Sequence, residues 1–135
     1  MGQYHMFYNL DKKEFIDPYK FDTGLKLWEQ LNSHYLSALH LLLCACPHAR
    51  GGRDYHTGDP ALDQYIGRWA GDRIVLVGDY AEETDHPEIP ENLQNLYYNE
   101  DYTNISDDIL PLVERVLDGT FNGIGWLSFT PNQPN

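Results

Sequence analysis

Hydrophobic residues in this chain fall into short runs separated by polar punctuation, a pattern that predicts many short elements. Residues 3–10 (QYHMFYNL) are rich in aromatic side chains and read as a strand. The polar stretch 9–14 (NLDKKE) reads as a turn, and 15–19 as a short second strand stopped by Pro18. Thr23, with Asp22 beside it, suits the start of a helix in which Leu25, Trp28 and Leu31 recur at helical spacing. Residues 35–46 place Leu36, Leu39, Leu42 and Leu43 on one helical face, and Pro47 ends the run. The segment 48–60 (HARGGRDYHTGDP) is dense in glycine and polar groups and reads as a loop. Asp59-Pro60 then reads as an N-cap followed by proline at the first helical position, opening a short helix to Ile66 that ends at Gly67.

Residues 73–77 (RIVLV) are apolar on both faces, which predicts a central strand covered on both sides. The acidic, proline-bearing stretch 82–91 reads as a solvated loop and 92–98 as a short helix. Asp107 and Asp108 precede a helix over 109–117, where acid suits the macrodipole, Pro111 falls in the first turn and Gly119 caps the end. FNGIGWLSF, residues 121–129, reads as a last strand. The elements add up to an α+β (mixed α/β) fold of about four strands with three or four helices. We read one compact domain over 1–130 and a loose tail over 131–135, with no internal repeat and no linker.

Composition fits this picture. A chain of 135 residues with 41% hydrophobic content has the size and the apolar content for one core. Its longest apolar run, 41–46, is too short to cross a bilayer, and no basic segment leads it at the start of the chain. A monomeric, cytoplasmic protein without an export signal is expected. Cys44 and Cys46, two apart, read as free thiols of a reducing compartment. The alternative is a Cys–His metal site with His40 and His48.

Charge narrows the functional classes. The net charge of −12 repels a polyanion, so nucleic-acid binding needs the nine Lys and Arg gathered locally. They are partly gathered: Lys12, Lys13, Lys20 and Lys26 come early, Arg50, Arg53, Arg68 and Arg73 mid-chain, and only Arg115 follows. No Walker loop, nucleophile elbow, HExxH or dinucleotide fingerprint is present. ARGGRD follows a helix rather than a strand, so it is a weak phosphate loop, although Arg50 or Arg53 suits an anion there. The six histidines are scattered. Only His48 and His56 share a polar loop, with Asp54 and Asp59, and solvent-facing or satisfied histidines explain them more simply than a metal does.

The strongest site candidate is 67–80, GRWAGDRIVLVGDY. In open sheets ligands collect beyond the carboxyl ends of strands, which points to Asp79, Tyr80 and Glu82. Arg68, Trp69 and Arg73 flank the other end. A purely structural reading competes: Asp72-Arg73 as a turn with a surface ion pair, Trp69 as core, Gly78-Asp79 as a plain turn.

The strings MGQY, NLDKKEF, GLKLWEQL, ARGG, IGRWAGDRIVLVGDYAE and FNGIGW resemble a family of small proteins from mushroom-forming fungi, with distant bacterial relatives. The similarity runs from Met1 to about Phe129 and extends to mushroom ribosome-inactivating toxins. The chain departs from the family pattern at His5, Tyr19 and Arg53, where the family has Trp, His and Gly. The resemblance implies an rRNA N-glycosylase that removes one adenine from the sarcin–ricin loop and so stops protein synthesis. That reaction passes through an oxocarbenium-like sugar, which a carboxylate stabilises while orienting water. Asp79 or Glu82 suits that role. Arg68 or Arg73 suits the departing adenine, Tyr80, Trp69, Tyr55 and Tyr8 suit stacking on the base, and Arg50 and Arg53 suit its phosphates. The expected partner is the ribosome, with basic ribosomal proteins docking on the acidic segments 82–91 and 101–108. No metal, organic cofactor or membrane is required. The alternative is a non-catalytic module that binds a small anion, a nucleotide or a protein partner. The enzyme reading requires both tips of the 74–77 segment to converge with distant tyrosines on one purine-sized hollow.

Overall fold

A computed structural model describes residues 2–31, 33–46 and 57–121, with backbone alone for 118–121. The reading of 121–129 as a strand and of 131–135 as a tail therefore lies outside the described residues, apart from Phe121. So do Arg50, Arg53, Tyr55, His48, His56 and Asp54.

Four strands form one mixed sheet in the order β3-β1-β2-β4. They are β1 (His5–Asn9), β2 (Glu14–Ile16), β3 (Ile74–Gly78) and β4 (Thr103–Asn104). β1 lies antiparallel to both β2 and β3, and β4 lies parallel to β2. The turn between β1 and β2 is the polar one the sequence predicts. Asn9 closes it by accepting the N–H groups of Asp11 and Lys12 on one side-chain oxygen, and Lys13 takes the left-handed conformation, φ 56°.

Alternation along β1 divides the core in two. Phe7, with Ile16 and Ile74 on the neighbouring strands, meets a layer of helices. These are α1 (His34–Leu43), α2 (Pro60–Asp63) and α3 (Ser106–Phe121). Met6 and Tyr8, with Val75 and Val77 beside them, meet an irregular layer that carries Leu93, Leu96, Tyr97 and Tyr102. The α+β architecture stands, with three α-helices and three short 3-10 turns among the described residues.

Several boundaries differ from the sequence reading. β3 is an edge strand bonded to β1 alone, with Leu76 41% exposed, because the irregular layer covers one face of it and nothing among the described residues pairs with its outer side. The predicted helix around Leu25, Trp28 and Leu31 is a single 3-10 turn, Leu27–Gln30, whose buried member is Gln30. Its amide holds the carbonyls of His5 and Leu25, leaving Trp28 86% exposed. Thr23 caps no helix; its hydroxyl bonds the Phe21 carbonyl. α1 buries Tyr35, Ala38, Leu41 and Leu42; of the predicted leucine stripe Leu42 is buried and Leu39 packs against the core, whereas Leu43 is exposed, and the helix ends at Leu43, before Pro47. Asp59 and Pro60 do open α2, with the Asp59 carboxylate accepting Ala61 N–H at 3.0 Å, although α2 stops at Asp63. The chain turns on to Gly67, which has φ 79°. Residues 92–98 hold only a 3-10 turn, Leu93–Asn95. α3 starts three residues early and runs through Gly119 to Phe121, with Pro111 inside it. The two-residue β4 carries no sequence signal of its own.

One hydroxyl joins the central strands to the helices. Phe7 donates its N–H to Tyr35 Oη at 2.7 Å, and that hydroxyl donates to the Ile16 carbonyl at 2.5 Å. Phe7 and Ile16 face each other across the ladder, so the phenol stands in for a direct strand-to-strand bond. Burial pushes the pKa of this phenol well up, against the lowering effect of the Phe7 bond. Tyr35→Phe leaves both backbone groups without a partner, and a loss of about 3 kcal/mol is expected. Urea unfolding measures it; a midpoint equal to that of the wild type would show that β1 and β2 close up to bond directly.

Candidate functional site

Residues 67–80 carry the predicted site, and the structure disperses them over three places. The first is the carboxylate of Glu14 at the start of β2. It accepts Arg68 Nε at 3.1 Å, Arg68 Nη2 at 2.5 Å and the Trp69 indole N–H at 2.8 Å. The side chain of Glu14 is 9% exposed and that of Arg68 38%. Trp69 is fully buried in the helix-side core. The bond to Glu14 holds the Arg68 guanidinium even more firmly protonated than usual.

The second place is the entry to β3. Arg73 reaches Asp11 through Nε at 2.8 Å and grips Glu91 with both terminal nitrogens at 3.1 and 2.8 Å. Asp72 beside it takes the Asn9 amide at 2.9 Å and Lys12 Nζ at 2.6 Å. These contacts lower the pKa of each carboxylate. The Arg73 bond acts on Glu91, the Arg73 backbone N–H first on Asp11, and the Asn9 amide first on Asp72.

The third place lies beyond the carboxyl end of β3. Asp79 clasps the start of β1: its Oδ1 accepts Tyr4 N–H at 2.9 Å and its own N–H reaches the Tyr4 carbonyl at 2.8 Å. Tyr80 follows, 57% exposed. The next turn closes when Glu82 N–H donates to Asp85 Oδ2 at 2.9 Å. A groove of about 410 Å³ runs from this end along the open side of β3. Val75, Val77, Ile89 and Leu93 give it an apolar wall, and Gln3, His5, Asp85 and His86 give it polar groups. Gly78 lies under the Gln3 side chain: a Cβ there would lie 1.9 Å from Gln3 Oε1, so that flexible amide would have to swing aside. His5 Nδ1 is buried without a hydrogen-bond partner among the described residues.

The expected convergence is therefore not formed within one chain. Arg73 and Asp79 stand at opposite ends of β3, about 20 Å apart for six residues of strand. Arg68 is committed to Glu14, and Trp69 has no face open to a base. Tyr8 is buried as well, its ring 5.4 Å from that of Phe15, and burial raises the pKa of its hydroxyl. The structural alternative describes 68–73 better: an ion-paired turn and a core tryptophan. Asp79, Tyr80 and Glu82 do share one end, as the strand-end argument predicts. Gln3, His5, Asp85 and His86 escaped the sequence reading as site residues, since two of them sit in the predicted strand 3–10, two in the acidic stretch 82–91, and none forms a motif. Cys44 and Cys46 are both free. Among the described residues no three His, Cys, Asp or Glu side chains gather to hold one metal ion, and no helix is long and apolar enough to cross a membrane. Compared with protein-family models, curated proteins and solved structures, the chain matches none.

Two predictions follow the ion pairs. Arg68→Met strands a buried carboxylate and is expected to cost about 3 kcal/mol or more, whereas Glu14→Leu combined with Arg68→Met costs less than the two single losses summed. Additive losses in a denaturation cycle would show that the two side chains act independently. The lowered pKa values of Asp72 and Glu91 have a definite sign. Their stabilisation is complete above the ordinary carboxylate range, about pH 4.3, and fades as the pH falls through their folded values. Arg73→Met removes the grip on Glu91, so acid unfolding should lose part of its steepness below pH of about 4; an unchanged acid limb would show that this pair carries no linkage.

Proposed function

We propose that this protein is an N-glycosyl hydrolase acting on an adenine of large-subunit ribosomal RNA, and that its reacting centre is the carboxyl end of β3. The observation that carries the reading is that Asp79, Tyr80 and Glu82 follow directly on β3 while Asp85, bonded to Glu82 N–H, and His86 line the groove beside it. Tyr80 offers a ring face to an extruded base, at 57% exposure. A carboxylate there suits the sugar cation: it faces C1′ as the bond to the adenine nitrogen breaks, and it accepts a proton from the water that forms the new C1′–O bond. The leaving base takes a proton on a ring nitrogen. Arg68 and Arg73 are too far from this end to supply it, and the imidazoles of His86 and His5 are side-chain N–H donors that line the groove.

Net charge opposes contact with bare RNA. Docking on basic ribosomal proteins through 82–91 and 101–108 resolves the opposition, so whole ribosomes should lose adenine faster than naked rRNA. Chromatographic assay of free adenine tests both points. Asp79→Asn, Glu82→Gln and Asp85→Asn, made singly, should include at least one loss of about 10²-fold or more. Wild-type rates in all three remove the assignment of the centre, and equal rates on ribosomes and naked rRNA remove the docking.

One observation favours the non-catalytic alternative. The two described arginines of the predicted site are neutralised by Glu14, Asp11 and Glu91, and among the described residues no Lys or Arg lines the groove. A bare anion is then a poor ligand, and a protein strand along β3 a better one. No adenine from ribosomes at any dose of wild-type protein decides for that reading.

A further inference from the structure

We propose that two copies of this chain pair through β3, antiparallel and centred on Leu76. The hydrogen-bond phase of the strand carries the first part of the argument. Leu10 donates its N–H to the Arg73 carbonyl at 2.9 Å, and Asp79 donates to the Tyr4 carbonyl at 2.8 Å. In an antiparallel ladder alternate residues direct both backbone groups to the same side. Arg73, Val75, Val77 and Asp79 therefore face β1, and Ile74, Leu76 and Gly78 present theirs to the open side. Of these groups the Gly78 carbonyl already accepts Ala81 N–H, at 3.0 Å, and the rest have no partner among the described residues.

The strand itself also lacks the residues that usually protect an edge. IVLVG contains no charge, no proline and no bulge, and Leu76 is 41% exposed on it. The opposite edge is blunt: β4 has two residues, both exposed and polar. The groove of about 410 Å³ follows β3 over Val75, Leu76, Val77 and Gly78, the course an added strand takes.

Charge complementarity names the occupant. A twofold axis at Leu76 sets Leu76 against its own counterpart, Ile74 against Gly78, and Arg73 against Asp79. The segment is thus its own complement, apolar at the centre with opposite charges at its ends, as a self-paired interface requires. Asp79 keeps one carboxylate oxygen beyond its bond to Tyr4, and each terminal nitrogen of Arg73 keeps an N–H beyond its bond to Glu91. Pairing brings the guanidinium of the second copy to Asp79, a juxtaposition that one copy alone does not form. The proposal stands on the edge itself and not on the reaction proposed above; a dimer that releases no adenine from ribosomes leaves it intact and ends only the enzyme reading.

Sedimentation equilibrium on the wild-type chain should give twice the monomer mass. Leu76→Lys, a change at an exposed side chain, should give the monomer mass with an unchanged circular dichroism spectrum. Register is read by cross-linking in a Cys44→Ser, Cys46→Ser background. Facing Cα atoms in such a ladder lie about 5.5 Å apart, inside the disulfide range. Leu76→Cys should then cross-link to itself under mild oxidation, and Ile74→Cys should cross-link to Gly78→Cys only when the two variants are mixed. A monomer mass for the wild type at every accessible concentration overturns the proposal and leaves the edge to another occupant. A dimer that survives Leu76→Lys, or cross-links in another register, overturns it equally.

Discussion

The buried carboxylate of Glu14 is the constraint on which the rest of the molecule is arranged. It stands where β2 leaves the hairpin and takes three donors from two consecutive residues, Arg68 and Trp69. The same turn is tied from the other side, because Gly67 N–H reaches the Leu41 carbonyl and Trp69 N–H the Leu42 carbonyl, both at 2.9 Å. One short stretch thus fastens the sheet to the end of α1. It also aims the chain into β3, which begins five residues after Trp69. An ion pair half open to water adds little by itself. Here the indole N–H has no other partner among the described residues and the carboxylate is almost fully enclosed, so removal of any member leaves a buried polar group poorly satisfied.

A consequence is that the most distinctive side chains of the chain are spent on structure. The sheet is covered on both faces, by helices on one and by an irregular layer on the other, and the irregular layer lacks regular hydrogen bonding of its own. Aromatic bulk replaces it. Tyr8 touches the rings of Phe15, Tyr97 and Tyr102, with centroids 5.4, 6.2 and 5.8 Å away. The cations are spent in the same way: Lys12, Arg68 and Arg73 each meet a carboxylate within 2.8 Å. With 21 acidic residues against nine basic ones, the unneutralised remainder is acid, and part of it, Glu82, Glu83, Asp85 and Glu88, lies on the exposed loop after β3.

These facts explain what was legible in the sequence. Local chemistry was readable wherever a residue acts on its own neighbours. Asp59-Pro60 opens a helix, Asn9 closes a turn, and Gly67 takes a positive φ, because caps and turns are decided within four residues. The uninterrupted Ile74–Val77 run correctly announced a strand but not its place in the sheet. An edge strand with one face under a tyrosine layer has the same composition as a central one. Leu25, Trp28 and Leu31 misled for a related reason: spacing reports a face without reporting what meets it, and here Gln30 wins burial by capping two carbonyls. The groove was illegible, since Gln3, His5, Asp85 and His86 come together only when β1 and the loop after β3 flank the same edge.

The open β3 edge and the large negative charge make sense together. An unprotected run such as IVLVG is an invitation to uncontrolled sheet growth. Growth needs a second edge to continue, and the second edge is β4, too short and too polar to accept another strand. Pairing through β3 therefore closes after one step. Self-repulsion acts in the same direction: a chain of net charge −12 accepts a second copy only where local contacts outweigh it, and the ends of β3 are where a cation meets an acid in the antiparallel register alone. A parallel or shifted register sets Arg73 or Asp79 against a like charge or no charge. Apolar contact supplies the attraction and charge order supplies the selection, so one strand carries both the hazard and its limit.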